Sequence, residues 1–261
     1  MKREFYTLIT GSSTGIGKAL AIECAKNNMN ILCIALPGTR LEKLSEDINR
    51  TYQVKTDYFF ADLTVKGSIT NIMQWIEKKN YKINMLINNA GISCEGPFEK
   101  YSADFYEHLL MLNTHASVLL TRSLTKQLLE NRPSYILNLG SVASYFPMPF
   151  KAVYGSSKLF MLSFSKALKQ EFKNVPLQVS VVCPGPVVTN RHTAQSALDK
   201  GIIARMMHMK AHRVARYAIK KLKKGTFIIK PGFLSKTTYY VSLIIPQFIR
   251  NILVEKVFYS R

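Results

Sequence analysis

Short apolar runs, turns and helical apolar stripes follow one another along the whole chain. "FYTLIT" (5–10) ends at Gly11, and residues 17–28 then place Leu20, Ala21, Cys24 and Ala25 at helical spacing. "NILCIAL" (30–36) is followed by 39–50, with Leu41, Leu44 and Ile48 on one face. Residues 55–63 and 68–79 repeat the unit, and "INMLINNAG" (83–91) supplies a fourth strand. A long helical region at about 102–130 precedes a strand at 134–140. A helix at 152–172, a strand at 177–185 and a seventh strand at 226–232 complete the pattern.

Several of these runs are apolar at nearly every position rather than at alternate ones. A strand of that kind is covered on both faces, which indicates a parallel sheet. Right-handed crossovers then leave few topologies. The pattern predicts an α/β fold, a Rossmann-type doubly wound parallel sheet of about seven strands with helices on both faces. The 261 residues fit a single domain of this kind, without internal repeats. A composition 47% hydrophobic and 20% charged is that of a soluble globular protein. Cys24, Cys33, Cys94 and Cys183 lack metal-ligand or CxxC spacing and read as free thiols of a reducing compartment. No metal site is expected. The opening apolar run is too short for a signal peptide, so the expected location is cytoplasmic.

The turn "TGSSTGIG" (10–17) lies between the first strand and first helix. Gly11 permits a tight exit from the strand, Gly15 a close approach of backbone to a pyrophosphate, and Gly17 close packing of helix on sheet. Ile16 sits at the helix start, where free N–H groups and the positive dipole end favour phosphate. A glycine turn without ligand is the bland reading, and the position between strand and helix favours the phosphate cradle. The second strand ends "CIALPGTR", with no acid among Ala35, Leu36, Pro37 and Gly38. Many NAD-binding folds place a carboxylate there on the ribose hydroxyls. Its absence, with Ser12 and Arg40 nearby, predicts NADP as the preferred cofactor, with NAD as the alternative.

Further motifs follow in order. "NNAG" (88–91) closes the fourth strand, Asn113 lies in "LNTHA", Ser141 in "NLGSVAS", and Tyr154 and Lys158 in "YGSSK". Together with the glycine turn, this set resembles the short-chain dehydrogenase/reductase family from Thr10 to about Gly232. Its layout is most similar to 17β-hydroxysteroid and 3-oxoacyl reductase-like members. The resemblance implies hydride transfer between a nicotinamide cofactor and a ketone or alcohol, with Tyr154 as acid/base. It also implies that Ser141 holds the substrate oxygen, Lys158 binds the nicotinamide ribose, and Asn113 holds a water of the proton relay. Asp62 and Leu63 would flank the adenine, and Asn89, Ala90 and Gly91 the adenosine ribose. Pro184 and Gly185 would lie beside the nicotinamide, with Val187 and Thr189 near its carboxamide. Physically, Tyr154 and Lys158 share a helix face at i, i+4. An ammonium near the phenol lowers its pKa from about 10. Gly155, Ser156 and Ser157 would keep the intervening turn slim.

The segment at about 189–212 is expected to form a substrate lid. Ile202, Ile203, Met206, Met207 and Met209 there, with Tyr145, Phe146, Met148 and Phe150, would make an apolar lining. A hydrophobic carbonyl or alcohol (3-oxoacyl, steroid or other lipid-like) suits it; packing of the same residues against the core is the plainer alternative.

The formal charge is +20, and residues 205–224 hold eight Lys or Arg and no acid. Val214, Ala218 and Leu222 give this stretch an apolar stripe, so much of the run is a solvated helix face. The sharper reading is a docking surface for an anionic membrane or an acidic acyl carrier. No nucleic-acid recognition motif accompanies the charge, so no specific nucleic-acid binding is expected. The tail, about 233–261, is broken by Pro246, Gln247 and Arg250 and is a poor membrane span. It suits peripheral membrane contact or packing on its own domain or a second subunit. The resemblance implies a homodimer or homotetramer through the helices at 102–130 and 152–172. A nucleotide-binding scaffold or sensor of the same fold, without turnover, is the competing function.

Overall fold

The computed structural model describes residues 4–188 and 208–245. Its elements begin β1 (Phe5–Thr10), α1 (Gly15–Lys26), β2 (Asn30–Ala35), α2 (Leu41–Tyr52), β3 (Thr56–Phe60), α3 (Ser68–Lys78) and β4 (Lys82–Asn88). They continue with α4 (Ala103–Leu110), a π-helical turn (Met111–His115), α5 (Ala116–Glu130), β5 (Ser134–Leu139) and α6 (Ala152–Glu171). Then come β6 (Leu177–Val182), β7 (Val187–Val188), β8 (Met209–Lys210), α7 (Ala211–Leu222), β9 (Ile228–Ile229) and α8 (Gly232–Ile244).

Seven strands form one sheet in the order β3-β2-β1-β4-β5-β6-β9, and every pairing in it is parallel. The doubly wound α/β expectation holds. The strand order reverses between β1 and β4, so their carboxyl ends open a crevice where ligands of such sheets bind.

The alternation of side chains across each strand explains the near-continuous apolar runs. Ile9, Ile31, Cys33, Ile87 and Leu137 face a core shared with α1, α2 and α7. Leu8, Leu32, Ile34, Leu86 and Ile136 face the opposite core, shared with α3 and α5. All four cysteines are buried and free.

Three expectations change in detail. The seventh strand shrinks to Ile228–Ile229, flanked by Gly225 and Gly232, whose φ angles of 75° and 79° break an extended run. The long helix at 102–130 is interrupted by the π-helical turn, which periodicity does not reveal. A second, two-stranded sheet of β7 and β8 pairs Val187 with Met209. Met209 thereby packs against the core rather than in a lid wall, its sulfur close to Gly232. Ile202, Ile203, Met206 and Met207 lie outside the described residues. No helix among the described residues is long and apolar enough to cross a membrane.

Candidate active site

The glycine turn is held from the β4 side. Thr10 Oγ1 accepts from Asn89 N and Ala90 N, each at 3.0 Å. Asn89 Nδ2 donates to Thr10 O (2.8 Å) and Gly11 O (3.0 Å). A Cβ on Gly17 would sit 2.1 Å from Gly11 O, so only glycine lets α1 approach this turn. The "NNAG" segment is therefore first a brace for the turn, and Asn89 reaches backbone with its side-chain amide.

A cleft of about 1050 Å³ runs from this turn across the carboxyl ends of β1, β4, β5 and β6. Gly11, Gly15, Ile16 and Gly17 line one end, with Asp62 and Leu63 beside them. Asn89, Ala90 and Gly91 form the floor, and Pro184, Gly185 and Val187 the far wall. Ser141, Tyr154 and Lys158 line it together. Asp62 is held below the usual carboxylate range, chiefly by the Thr64 hydroxyl, which donates to Asp62 Oδ1 at 2.7 Å.

Two nominated cofactor contacts lie elsewhere. Ser12 is fully buried, and its hydroxyl donates to Ile34 O at 3.2 Å; it ties the turn to β2 instead of facing phosphate. Arg40 is exposed at the start of α2 and does not line the cleft. Thr189 lies outside the described residues. The cleft adds residues that the sequence reading missed: Ser13 and Thr14 in the turn, Leu36 at the end of β2, and His108 and Leu112 on the helix opposite. Ser13 and Thr14 were signalled by the motif itself; His108 and Leu112 needed the spacing of four read as one face.

Ser141 leaves β5 in a loop pinned to β6. Gly140 N donates to Val182 O (2.9 Å) and Val142 N to Pro184 O (3.0 Å). Ser144 Oγ donates to Lys158 O at 2.8 Å, fastening this loop to α6. Tyr154 faces Ser141, whose hydrogen bond pulls the phenol pKa down; burial pushes it up and wins. Lys158 Nζ stands 5.9 Å from the Tyr154 ring centre and donates to Leu139 O at 3.1 Å. Burial pushes Lys158 down to about 8. The expected lowering of the phenol by its lysine neighbour is thus absent in this geometry: desolvation dominates both groups.

The spacer residues also serve a different end. Gly155 and Ser157 are buried and Ser156 is exposed. Asn113, buried in the π-helical turn, accepts from Ile92 N (2.9 Å) and donates to Ile92 O (3.0 Å) and Ser157 Oγ (3.0 Å). It does not line the cleft; it clamps the loop after β4 to α6. Among the described residues of the expected apolar lining, Met148 alone reaches the cleft. Tyr145 is buried with Leu162, Val181 and Cys183, and Phe146 packs on that cluster.

The model of the family described as short chain dehydrogenase matches residues 6–199. The chain belongs to the short-chain dehydrogenase family. Among similar proteins of that family, hydroxysteroid dehydrogenase-like protein 1 of Gallus gallus is 32% identical over 199 residues, covering 75% of this chain and 59% of the relative. The very-long-chain 3-oxoacyl-CoA reductase of Bos taurus is 30% identical over 190 residues, covering 70% of this chain and 60% of the relative. This short-chain dehydrogenase chain thus spans about three fifths of the length of those relatives. A solved short-chain dehydrogenase from Sphingobium yanoikuyae in complex with NADPH superposes with a TM-score of 0.77 at 25% identity, covering 93% of this chain and 97% of that one.

Proposed function

We propose that this protein is an NAD(P)-dependent oxidoreductase that interconverts a hydrophobic ketone and alcohol, with Tyr154 as the acid/base. The observation that carries the reading is the convergence of Ser141, Tyr154 and Lys158 on the cleft that begins at the glycine turn. The residues fit a dinucleotide: the Gly17 position admits no side chain, and the α1 N-terminus faces the cleft. Gly11, Ser13, Thr14, Gly15 and Ile16 would hold the diphosphate, Asp62 and Leu63 the adenine, and Asn89, Ala90 and Gly91 the adjoining ribose. Pro184, Gly185 and Val187 would border the nicotinamide, with Thr189 beyond them. The bound nicotinamide supplies the hydride donor or acceptor.

The chain's own residues handle the proton and the developing charge. Ser141 donates to the substrate oxygen, Tyr154 O–H gives it a proton during reduction, and Lys158 lies within reach of both the ribose and the phenol. Asn113 acts one step back, holding α6 through Ser157. The corner after β2 carries Leu36 and no carboxylate, which supports NADP over NAD. The relatives' names include hydroxysteroid and 3-oxoacyl-CoA enzymes. With Ile92, Val142 and Met148 in the cleft, they support a lipid-like substrate. Exposed Leu110, Leu119, Leu159 and Phe160 on α4, α5 and α6 support a homo-oligomer through these helices. The positive charge suits an anionic surface or an acidic carrier as partner.

Fluorescence titration with NADPH and NADH, followed by cofactor oxidation with lipophilic ketones, tests this reading. Tighter NADPH than NADH binding is expected, with turnover abolished in Tyr154→Phe and binding retained. Binding of both cofactors without any turnover would instead make the protein a nucleotide-binding scaffold.

A further inference from the structure

Helix α8 carries its apolar residues on the outside. Its inner face is well seated: Ser235 is fully buried, and its hydroxyl donates to Cys183 O at 2.5 Å. The Leu234 side chain stands against Gly185, where a Cβ would lie 3.3 Å from Leu234 Cδ2. The Tyr239 ring meets the Tyr145 ring at 5.4 Å. The other face bears Phe233, Tyr240 and Ile244 at spacings of a helical stripe, with Leu243 at its edge. Their exposures are 83%, 53%, 78% and 65%. Large apolar side chains gathered so on one short helix mark a surface that something covers.

The surrounding charge decides what covers it. Lys236 is exposed on the same stripe, and the Lys230 ammonium lies 3.9 Å from the Tyr239 ring centre and 4.8 Å from that of Tyr240. Helix α7, which packs on α1, adds Arg213, Arg216 and Lys220 to the exposed cations of the molecule, followed by Lys223 and Lys224. Between Asp199 and Glu255 the sequence holds twelve Lys or Arg and no acid. A second copy docked face to face on this stripe would set Lys230 and Lys236 against their own counterparts, which repel. An anionic lipid surface answers both features, taking apolar side chains into its headgroup boundary and cations against its charge.

We propose that the outward face of α8 docks this protein on an anionic lipid surface, with Phe233, Leu243 and Ile244 inserting and Lys230 and Lys236 pairing with headgroups. The inner face of α8 supports Cys183–Gly185, and Gly185 lines the cleft. Docking therefore sets the cleft wall about one helix diameter, ~10 Å, from the lipid. The inference needs no turnover at the cleft, so it stands or falls apart from the oxidoreductase reading.

Sedimentation of the full chain with vesicles of phosphatidylcholine, with and without phosphatidylserine, tests it. Pelleting with the phosphatidylserine vesicles alone, and release at about 0.5 M salt, is expected. The combined Phe233→Ser, Leu243→Ser and Ile244→Ser variant should lower the partition coefficient roughly tenfold or more while NADPH binding is unchanged. Lys236→Glu, a single exposed change that spares the fold, should lower it several-fold. Failure to pellet with phosphatidylserine vesicles would overturn the proposal. So would pelleting that neither variant weakens. A triple variant that dissociates an oligomer, with vesicle binding absent throughout, would assign the stripe to a second copy, and salt-sensitive capture by an acidic protein without vesicle binding would assign it to that class; either overturns the lipid.

Discussion

Asn113 Nδ2 donates to Ser157 Oγ at 3.0 Å, joining the π-helical turn to α6 at the residue just before Lys158. The same amide closes two further bonds with the backbone of Ile92. A π-helical turn adds a residue to the helical repeat and so turns one side chain inward, here Asn113. Asn113→Ala removes the bonds to Ile92 N–H and C=O and the donor that Ser157 Oγ accepts from, while the Ser157 hydroxyl keeps its bond to Tyr154 O. A loss of about 2–4 kcal/mol in urea unfolding is expected, with Ser157→Ala costing only about 1 kcal/mol. An Asn113→Ala protein as stable as the native one would show that the clamp is dispensable.

The sequence made the architecture legible because both faces of the sheet are buried, and the apolar runs announce that directly. The site was legible where backbone chemistry dictates the residue, as at Gly11, Gly15 and Gly17. It was less so where a side chain of the right type points the wrong way. Ser12 lies in the motif, yet its hydroxyl turns to Ile34 O, which also accepts from Ser12 N, because a buried hydroxyl takes a carbonyl within reach. Tyr145 looked like cleft lining and instead fills the space between α6 and β6. His108 and Leu112 escaped notice because helix packing, not a motif, brings them to the cleft. The Tyr154–Lys158 spacing brings both groups to the cleft, but spacing alone does not register burial, which pushes the phenol up and the ammonium down.

Gly17 supports the sharpest steric prediction. A methyl group there meets Gly11 O at 2.1 Å and Asn89 Nδ2 at 2.4 Å, and both belong to the braced turn. Gly17→Ala must push α1 away from the turn or distort it. We expect NADPH affinity to fall by roughly a hundredfold or more, together with a loss of about 1–3 kcal/mol in stability. Isothermal titration and urea unfolding measure the two effects. Native affinity in this variant would show that the turn does not cradle the diphosphate.

Leu36 governs the corner after β2. It is half-exposed and lines the cleft where an acid would meet a ribose. Leu36→Asp places a carboxylate there, which repels a 2′-phosphate and accepts from ribose hydroxyls. NADPH binding should weaken roughly tenfold or more, while NADH binding holds or tightens. Equal weakening of both cofactors would mean that the variant damaged the cleft instead of its charge. Arg40→Ala serves as the companion measurement: lying outside the cleft lining, Arg40 should change the NADPH dissociation constant by less than about threefold.

Burial of the Lys158 ammonium costs the native state stability. Burial lowers its pKa to about 8 from 10.5 in the free side chain. Below pH 8 the ammonium is charged in both folded and unfolded chains, and the full cost of burying it falls on the native state. Between about 8 and 10.5 the unfolded chain binds a proton that the folded one has released, so the native state gains stability as pH rises. Above that window both forms are neutral and the penalty has gone. Lys158→Met removes the charge and keeps the length of the side chain, giving up the hydrogen bond to Leu139 O. The variant should be more stable than the native protein at pH 7, by on the order of 1–2 kcal/mol after that lost bond. Its advantage should shrink steadily as pH rises through the window. It should also be inactive, because Lys158 stands beside both the phenol and the cleft. Urea midpoints of the two proteins at pH 6.5, 8.5 and 10 measure the gap at each point, taking about 1.4 kcal/mol per pKa unit as the scale. A Lys158→Met protein less stable than native at pH 6.5, or a gap that ignores pH, would mean that the ammonium is solvated in the folded chain and carries no burial cost.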